Sequence, residues 1–353
     1  MRIGILTAGG DCPGINAAIR GVGKTAILKH GMEVYGISSG FLGLIDLEYQ
    51  MLREEQLSGI LTMGGTILGT SREKPFKPSK YREYIRSKPK IIKENYDRLG
   101  LDCLICIGGN GTMKTAAKLA DEGLNIIGLP KTIDNDVYGT DVTFGFDSAL
   151  SIAAEAIDRI HTTANSHKRI MVVEVMGHHT GWLALYAGVA AGGDMILIPE
   201  LPYDEAVIEE YMKRRLGSEK PYTIVVVAEG IELPARKNGK KQKKGAGTYI
   251  ASRLSELTGY EARETILGYI QRGGSPTAAD RILASRLGAY AVELASTGRF
   301  GMMPAMRGGD IAAISLAEVA GKLKQVPSDH PMIREALGLG TSFGSPIAEQ
   351  RHG

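Results

Sequence analysis

Residues 101–132 read "LDCLICIGGNGTMKTAAKLADEGLNIIGLPKT". An apolar run ends in a glycine turn, a segment with helical spacing follows, and a second apolar run closes the stretch. Strand, turn, helix and strand in that order make a βαβ unit, which requires two parallel strands with a helix on the face of their sheet. The same alternation appears earlier in "RIGILTAGG" (2–10) before "GINAAIRGVGKTAILKHG" (14–31), and in "MEVYGISSG" (32–40). After "DVTFGFDSALSIAAEAIDRIHTTANSH" (141–167) it restarts with "KRIMVVEVMG" (168–177), "GDMILIPE" (193–200) and "PYTIVVVAEG" (221–230). The pattern predicts an α/β protein of two Rossmann-like three-layer αβα domains with mainly parallel sheets. A chain of 353 residues with 43% apolar residues can build two such cores.

Composition excludes several classes of function. With 42 basic against 39 acidic residues the net charge is +3, which gives no global reason to expect nucleic acid or a membrane surface as partner. The basic run "KNGKKQKKGAG" (237–247) lacks interleaved aromatic residues and reads as a solvated loop. The start "MRIGILTAGG" is too short an apolar run for a signal peptide, and no stretch has the length of a membrane span, so a soluble cytoplasmic protein is expected. Of three cysteines, Cys103 and Cys106 form a C-x-x-C inside an apolar strand with no second pair, which reads as core rather than as a redox or metal motif.

In open parallel sheets ligands gather beyond the carboxyl ends of the strands. The glycine and aspartate clusters fall there: "TAGGDCPG" (7–14), "GGNGT" (108–112), "KTIDND" (131–136), "MGHHTG" (176–181) and "EG" (229–230). Gly9, Gly10 and Gly14 leave backbone N–H groups bare before a helix, a cradle for an anion. Neither this loop nor "GGNGTMKT" fits the dinucleotide fingerprint or the P-loop. Four carboxylates, Asp134, Asp136, Asp141 and Asp147, crowd residues 130–149 behind a single lysine, Lys131. If 132–136 runs extended, Thr132, Asp134 and Asp136 project to one side, and the paired carboxylates call for a base, a metal or both. Arg72, Arg169, Arg263 and Arg272 stand near glycine turns or strand ends, where a guanidinium matches phosphate oxygens. Anion-cradling loops, a metal-binding carboxylate, a base and arginines together point to phosphoryl transfer.

From the first strand to about residue 300 the chain resembles the 6-phosphofructokinase family. "GGDCPGINAAIRG", "GGTILGTSR", "PKTIDND", "VEVMGHHTGW", "VAEG" and "LGYIQRGGSPTAADRILASRLG" occur in the family's order and spacing. The resemblance implies a site in the cleft between the two domains, and phosphorylation of fructose 6-phosphate by ATP with Mg²⁺. Asp134 would be the base, with Arg72 and Thr132 also catalytic. Gly10, Arg72, Gly109, Asn110, Gly111, Thr112 and Lys131 would hold the donor, and Asn110 and Asp136 the metal. Thr132, Ile133, Asp134, Met176, Gly177, His178, Glu229, Tyr269 and Arg272 would hold the sugar phosphate. Arg169 and Arg263 would reach the site of a neighbouring subunit, making a homo-oligomer, dimer or tetramer, part of the active site. A larger donor domain is expected at 1–144 with 259–322, a sugar-phosphate domain at 145–258, and a terminal segment, 323–353, packed on the smaller domain.

The donor is marked in two ways. Gly111 stands where the family's pyrophosphate users have an aspartate that would oppose a nucleotide's α-phosphate, and so favours ATP. Lys131 is the mark of pyrophosphate users, although a group of ATP-using relatives combines the two, and the chain looks most like that group. Asn110 replaces an acidic residue near the metal, and His178 replaces an arginine of many members. The regulatory pocket of bacterial relatives is matched by Arg20, Lys24 and Lys220, with His161 in place of an arginine. A pyrophosphate-dependent phosphotransferase is the alternative, and a weakened sugar-phosphate or nucleotide sensor a further one.

Overall fold

The structure, a computed structural model, describes residues 1–79, 83–217, 222–235 and 245–349. Lys220 and the basic loop at 237–244 lie outside the described residues. The chain forms two compact units, one of Met1–Ser148 with Arg272–Lys324, the other of Ala149–Gln271 with the residues from Gln325 onward. The first contains β1 (Arg2–Thr7), α1 (Ile15–Lys24), β2 (Glu33–Ile37), β3 (Tyr49–Met51), β4 (Cys103–Gly108), α2 (Asn110–Asp121) and β5 (Ile126–Pro130). Helix α3 (Phe146–His167) carries the chain into the second unit, with β6 (Ile170–Val175), β7 (Met195–Leu197), β8 (Thr223–Ala228), α4 (Ala246–Thr258) and β9 (Ala262–Ile266). It returns with α5 (Ala278–Ser296), β10 (Met302–Arg307) and β11 (Asp310–Ser315), and α6 (Pro331–Gly338) belongs again to the second unit.

The first unit is built on a seven-stranded sheet in the order β11-β10-β5-β4-β1-β2-β3. Strands β10, β5, β4, β1 and β2 run parallel, and the edges β3 and β11 are antiparallel. Every residue of β4 and β5 is buried, as the unbroken apolar runs require of strands covered on both faces. Cys103 and Cys106 sit three apart on β4, so their side chains point to opposite faces and cannot share a bond or an ion. Both are free, and burial pushes both thiols up. Helices α1 and α5 approach closely because glycines face each other. A Cβ on Gly21 would come within 2.7 Å of the Ser285 carbonyl oxygen, and one on Gly288 within 2.7 Å of that of Ala18.

The second unit has a four-stranded, all-parallel sheet in the order β7-β8-β6-β9. Its core is β-branched: Val172, Val173, Val225, Val226 and Val227 are fully buried, each contributing about 1.5–3 kcal/mol of burial. Because β9 pairs with β6 from Ile170↔Ala262 onward, this unit runs to Gln271 rather than stopping at the expected 258. The terminal segment also divides later than expected. Leu323 bridges Val137 and stays with the first unit together with Lys324.

Candidate active site

The site residues of the first unit lie past the carboxyl ends of β1, β4 and β5. Loop 8–14 leaves β1 with Gly9 and Gly14 in the left-handed region, at φ 88° and 101°. The Gly9 N–H donates to the Ser71 carbonyl at 3.0 Å and Thr70 Oγ1 to the Gly9 carbonyl at 2.8 Å, which brings the exposed Arg72 beside the glycine turn. Arg272 lies over Gly10, where a Cβ would meet Nη1 at 2.5 Å, and it donates to the Asp11 carbonyl at 3.1 Å. Lys131 is buried and donates through Nζ to the Gly10 carbonyl. Burial first, and the charge of Arg272 as well, push its pKa down, against Asp134 and Asp11, which hold it up. Two cations therefore converge on one glycine loop, a concentration of positive charge suited to a polyanion.

The sequence 132–136 does not run extended. Ile133 and Asp134 form a turn, the Asp134 N–H donates to Thr132 Oγ1 at 3.1 Å, and Asn135 takes a left-handed φ of 52°. The alternation that would have set Asp134 beside Asp136 is broken there. Of the four carboxylates of the stretch, Asp141 accepts the Gly308 N–H at 2.7 Å and Asp147 accepts from Thr277 Oγ1 at 2.5 Å, bonds that tie them to the returning segment, whereas Asp134 and Asp136 lie on the loop that follows β5. Asp280, which sequence reading did not single out, is buried and accepts from the Gly145 N–H, the Ser148 N–H and Ser148 Oγ, so it fixes the start of α3.

Gly109 caps α2, and Asn110 is its first residue. The Asn110 amide donates to the backbone carbonyl and to Oδ2 of Asp136, both at 2.9 Å, and its own Oδ1 is buried with no hydrogen-bond partner among the described residues. That unused oxygen beside a carboxylate fits a hard cation. No group of three or more His, Cys, Asp or Glu side chains among the described residues could hold a metal, so such an ion would take the rest of its ligands from phosphates and water, as Mg²⁺ ordinarily does. Gly111 faces open space: apart from its chain neighbours and the backbone of its own helix, no described atom lies within 4 Å of where a Cβ would stand. Thr112 is buried against Gly108, and Ile133 is completely buried, which leaves Ile133 only its backbone to offer a ligand.

In the second unit Met176, Gly177, His178 and Glu229 gather past the ends of the neighbouring strands β6 and β8. Gly177 has φ 144° and His178 φ 52°, and the His178 N–H donates to Glu229 Oε1 at 2.9 Å. The Met176 N–H donates to the buried Gln271 side chain at 3.3 Å, and Tyr269 on the same turn is 75% exposed. Arg169 and Arg263 are not part of this group. They flank the starts of β6 and β9 and share Glu261, with Arg169 Nε 2.7 Å from its Oε2. The six residues of β6 put Arg169 roughly 20 Å from Met176.

Parallel sheets with glycine turns, two inward cations and loop carboxylates over their carboxyl ends define a doubly wound α/β protein that handles phosphorylated ligands. Within that class the chain belongs to the phosphofructokinase family, whose model matches residues 2–295. It is 57% identical over 344 residues to ATP-dependent 6-phosphofructokinase 3 of Bacteroides thetaiotaomicron, covering 98% of this chain and 100% of that one. It is 47% identical over 340 residues to a pyrophosphate–fructose 6-phosphate 1-phosphotransferase of Amycolatopsis methanolica, covering 93% and 97%. The phosphofructokinase structure of Saccharomyces cerevisiae superimposes with a TM-score of 0.78 at 33% identity, over 90% of this chain. The chain spans 45% of the length of that yeast chain.

Proposed function

We propose that this chain phosphorylates the 1-hydroxyl of fructose 6-phosphate with ATP, giving fructose 1,6-bisphosphate. The observation that carries the reading is the gathering of loop 8–14, Arg72, Gly111 and Asp134 over one sheet end, with Gly111 open toward solvent. Asp134 takes the proton of the attacking hydroxyl, and Arg72, beside the glycine turn, faces the charge that spreads over the transferred group. Thr132 holds the Asp134 turn through its Oγ1. Lys131 and Arg272 stabilise the anionic oxygens over loop 8–14. The Asp136 carboxylate and Asn110 Oδ1 would hold Mg²⁺, which supplies charge neutralisation on the donor's phosphates. His178, Glu229 and the Met176–Gly177 backbone bind the sugar.

Arg169 and Arg263 point to a homo-oligomer. Their separation from the other sugar residues leaves them available to a neighbouring subunit's sugar phosphate. We take the protein to work in the cytoplasm; no helix among the described residues is long and apolar enough to cross a membrane. The alternative donor, pyrophosphate, is favoured by the burial of Lys131 against Gly10, a placement that serves a phosphate with or without a nucleotide. A coupled assay of the purified protein with fructose 6-phosphate and either ATP or pyrophosphate decides. Faster saturated turnover with pyrophosphate would reverse the assignment of donor, and turnover with neither would leave a sensor.

A further inference from the structure

Lys324 comes from nearly two hundred positions downstream of the "TIDND" loop, yet it is wired into that loop (residue separation 189 to Asn135). Its Nζ donates to Asn135 Oδ1 at 2.8 Å, to the Thr140 carbonyl at 2.9 Å and to the Asp141 carbonyl at 2.8 Å. Its backbone N–H donates to the Asp136 carbonyl at 2.9 Å, and the preceding Leu323 bridges Val137 in antiparallel fashion. Asn135 is only 4% exposed and stands in the left-handed region between the two carboxylates. Its Oδ1 also accepts the Thr143 N–H at 3.1 Å, and Thr143 Oγ1 donates to the Thr132 carbonyl at 2.7 Å. At its base the loop is closed by a bridge between Lys131 and Phe144. A non-glycine residue holds a left-handed conformation when surrounding bonds over-determine it, and the ammonium of Lys324 is the charged member of that set.

We propose that Lys324 is a positioning residue for phosphoryl transfer, acting through Asn135 to set the directions of Asp134 and Asp136. The inference rests on the function proposed above. An anchor for the terminal segment would use the same bonds, so the two roles part in kinetics rather than in stability.

The test is a kinetic cycle in the full chain with Lys324→Met, which keeps the length of the side chain and removes its donors, and Asn135→Gly, which keeps access to positive φ and removes the acceptor. Lys324→Met is expected to lower kcat by about 30-fold or more while the KM for fructose 6-phosphate stays within about threefold. In the Asn135→Gly background the same change is expected to cost less than about fivefold, because its route is already cut. Equal fold losses in both backgrounds overturn the proposal, as does a wild-type kcat in Lys324→Met, even with a lowered melting temperature. If Lys324→Met does not fold, Lys324→Gln serves in the same cycle with the same criteria. Failure of the underlying function is separately visible, since the wild-type chain would then turn over fructose 6-phosphate with neither ATP nor pyrophosphate.

Discussion

Substituting Gly111 by aspartate tests the donor with the fold held constant. The residue lies in the first turn of α2 without a positive φ, and no described atom beyond its chain neighbours and its own helix backbone stands within 4 Å of the new Cβ. No clash is created, and an acidic side chain at a helix N-terminus gains about 0.3–1 kcal/mol from the helix dipole. Stability is therefore expected to be unchanged or slightly raised. A nucleotide α-phosphate beside this position would meet a like charge at ~4–5 Å, worth about 1 kcal/mol if fully hydrated and about 4 kcal/mol at the effective dielectric of a protein surface. At about 1.4 kcal/mol per decade, kcat/KM for ATP is expected to fall by about 5-fold to 1,000-fold. Pyrophosphate has no third phosphate to repel, so the ratio of pyrophosphate to ATP activity is expected to rise. The assay is steady-state kinetics with both donors, alongside thermal unfolding. An undiminished kcat/KM for ATP in a variant of wild-type melting temperature would refute the placement of the nucleotide beside Gly111.

Asp134→Ser is expected to cut kcat by about 10²–10⁴-fold with little change in the KM for the sugar, and a variant that keeps most of its turnover removes Asp134 from the role of base. Arg169→Ala and Arg263→Ala subunits are each expected to be weak alone and to regain activity when co-assembled with Asp134→Ser subunits. Hybrid oligomers that form yet stay inactive would count against a shared site. Lys88 and Glu73 form an ion pair whose side chains are 6% and 0% exposed, and Ser79 Oγ also donates to Glu73 at 2.6 Å. Lys88→Met strands that carboxylate in the interior and is expected to cost about 3–5 kcal/mol in urea unfolding, whereas a loss below 1 kcal/mol would mean that water reaches Glu73.

The fold was legible where local pattern and tertiary role agree. The buried runs at β1, β4, β5, β6 and β8 announce parallel strands by their composition, and the glycine turns after them mark the strand ends where the site residues stand. What stayed hidden depends on partners distant in sequence. The hairpin of β10 and β11 was not read, although Gly308 and Gly309, at φ 58° and 96° between paired Arg307 and Asp310, are a strong two-residue turn signal. β9 has an exposed, weakly patterned sequence, as an edge strand does, and only its pairing with β6 assigns it to the second unit. The turn at Ile133 and Asp134 replaces the extended run because Asn135 is held left-handed by Thr143 and Lys324, and no window around residue 135 contains Lys324. Asp141 and Asp147 looked equivalent to Asp134 and Asp136 because their partners, Gly308 and Thr277, lie far along the chain, outside any window around the stretch.

The interleaving of the chain between its two units bears on how it is made. A ribosome delivers β1 to β5 first, but β5 must wait for its neighbour β10, whose register begins at Met302↔Ile127, and the glycine face of α1 must wait for Gly288 of α5. The four strands of the second sheet all come from one stretch, 149–271, and can pair as soon as it has emerged. The first sheet to be started is thus the last to be completed, holding an open edge through the translation of more than a hundred codons, at about 5–20 residues per second. For this architecture the hazard in biosynthesis is the nascent chain halted before Arg272, and a pause there would expose β5 to pairing with another copy of itself.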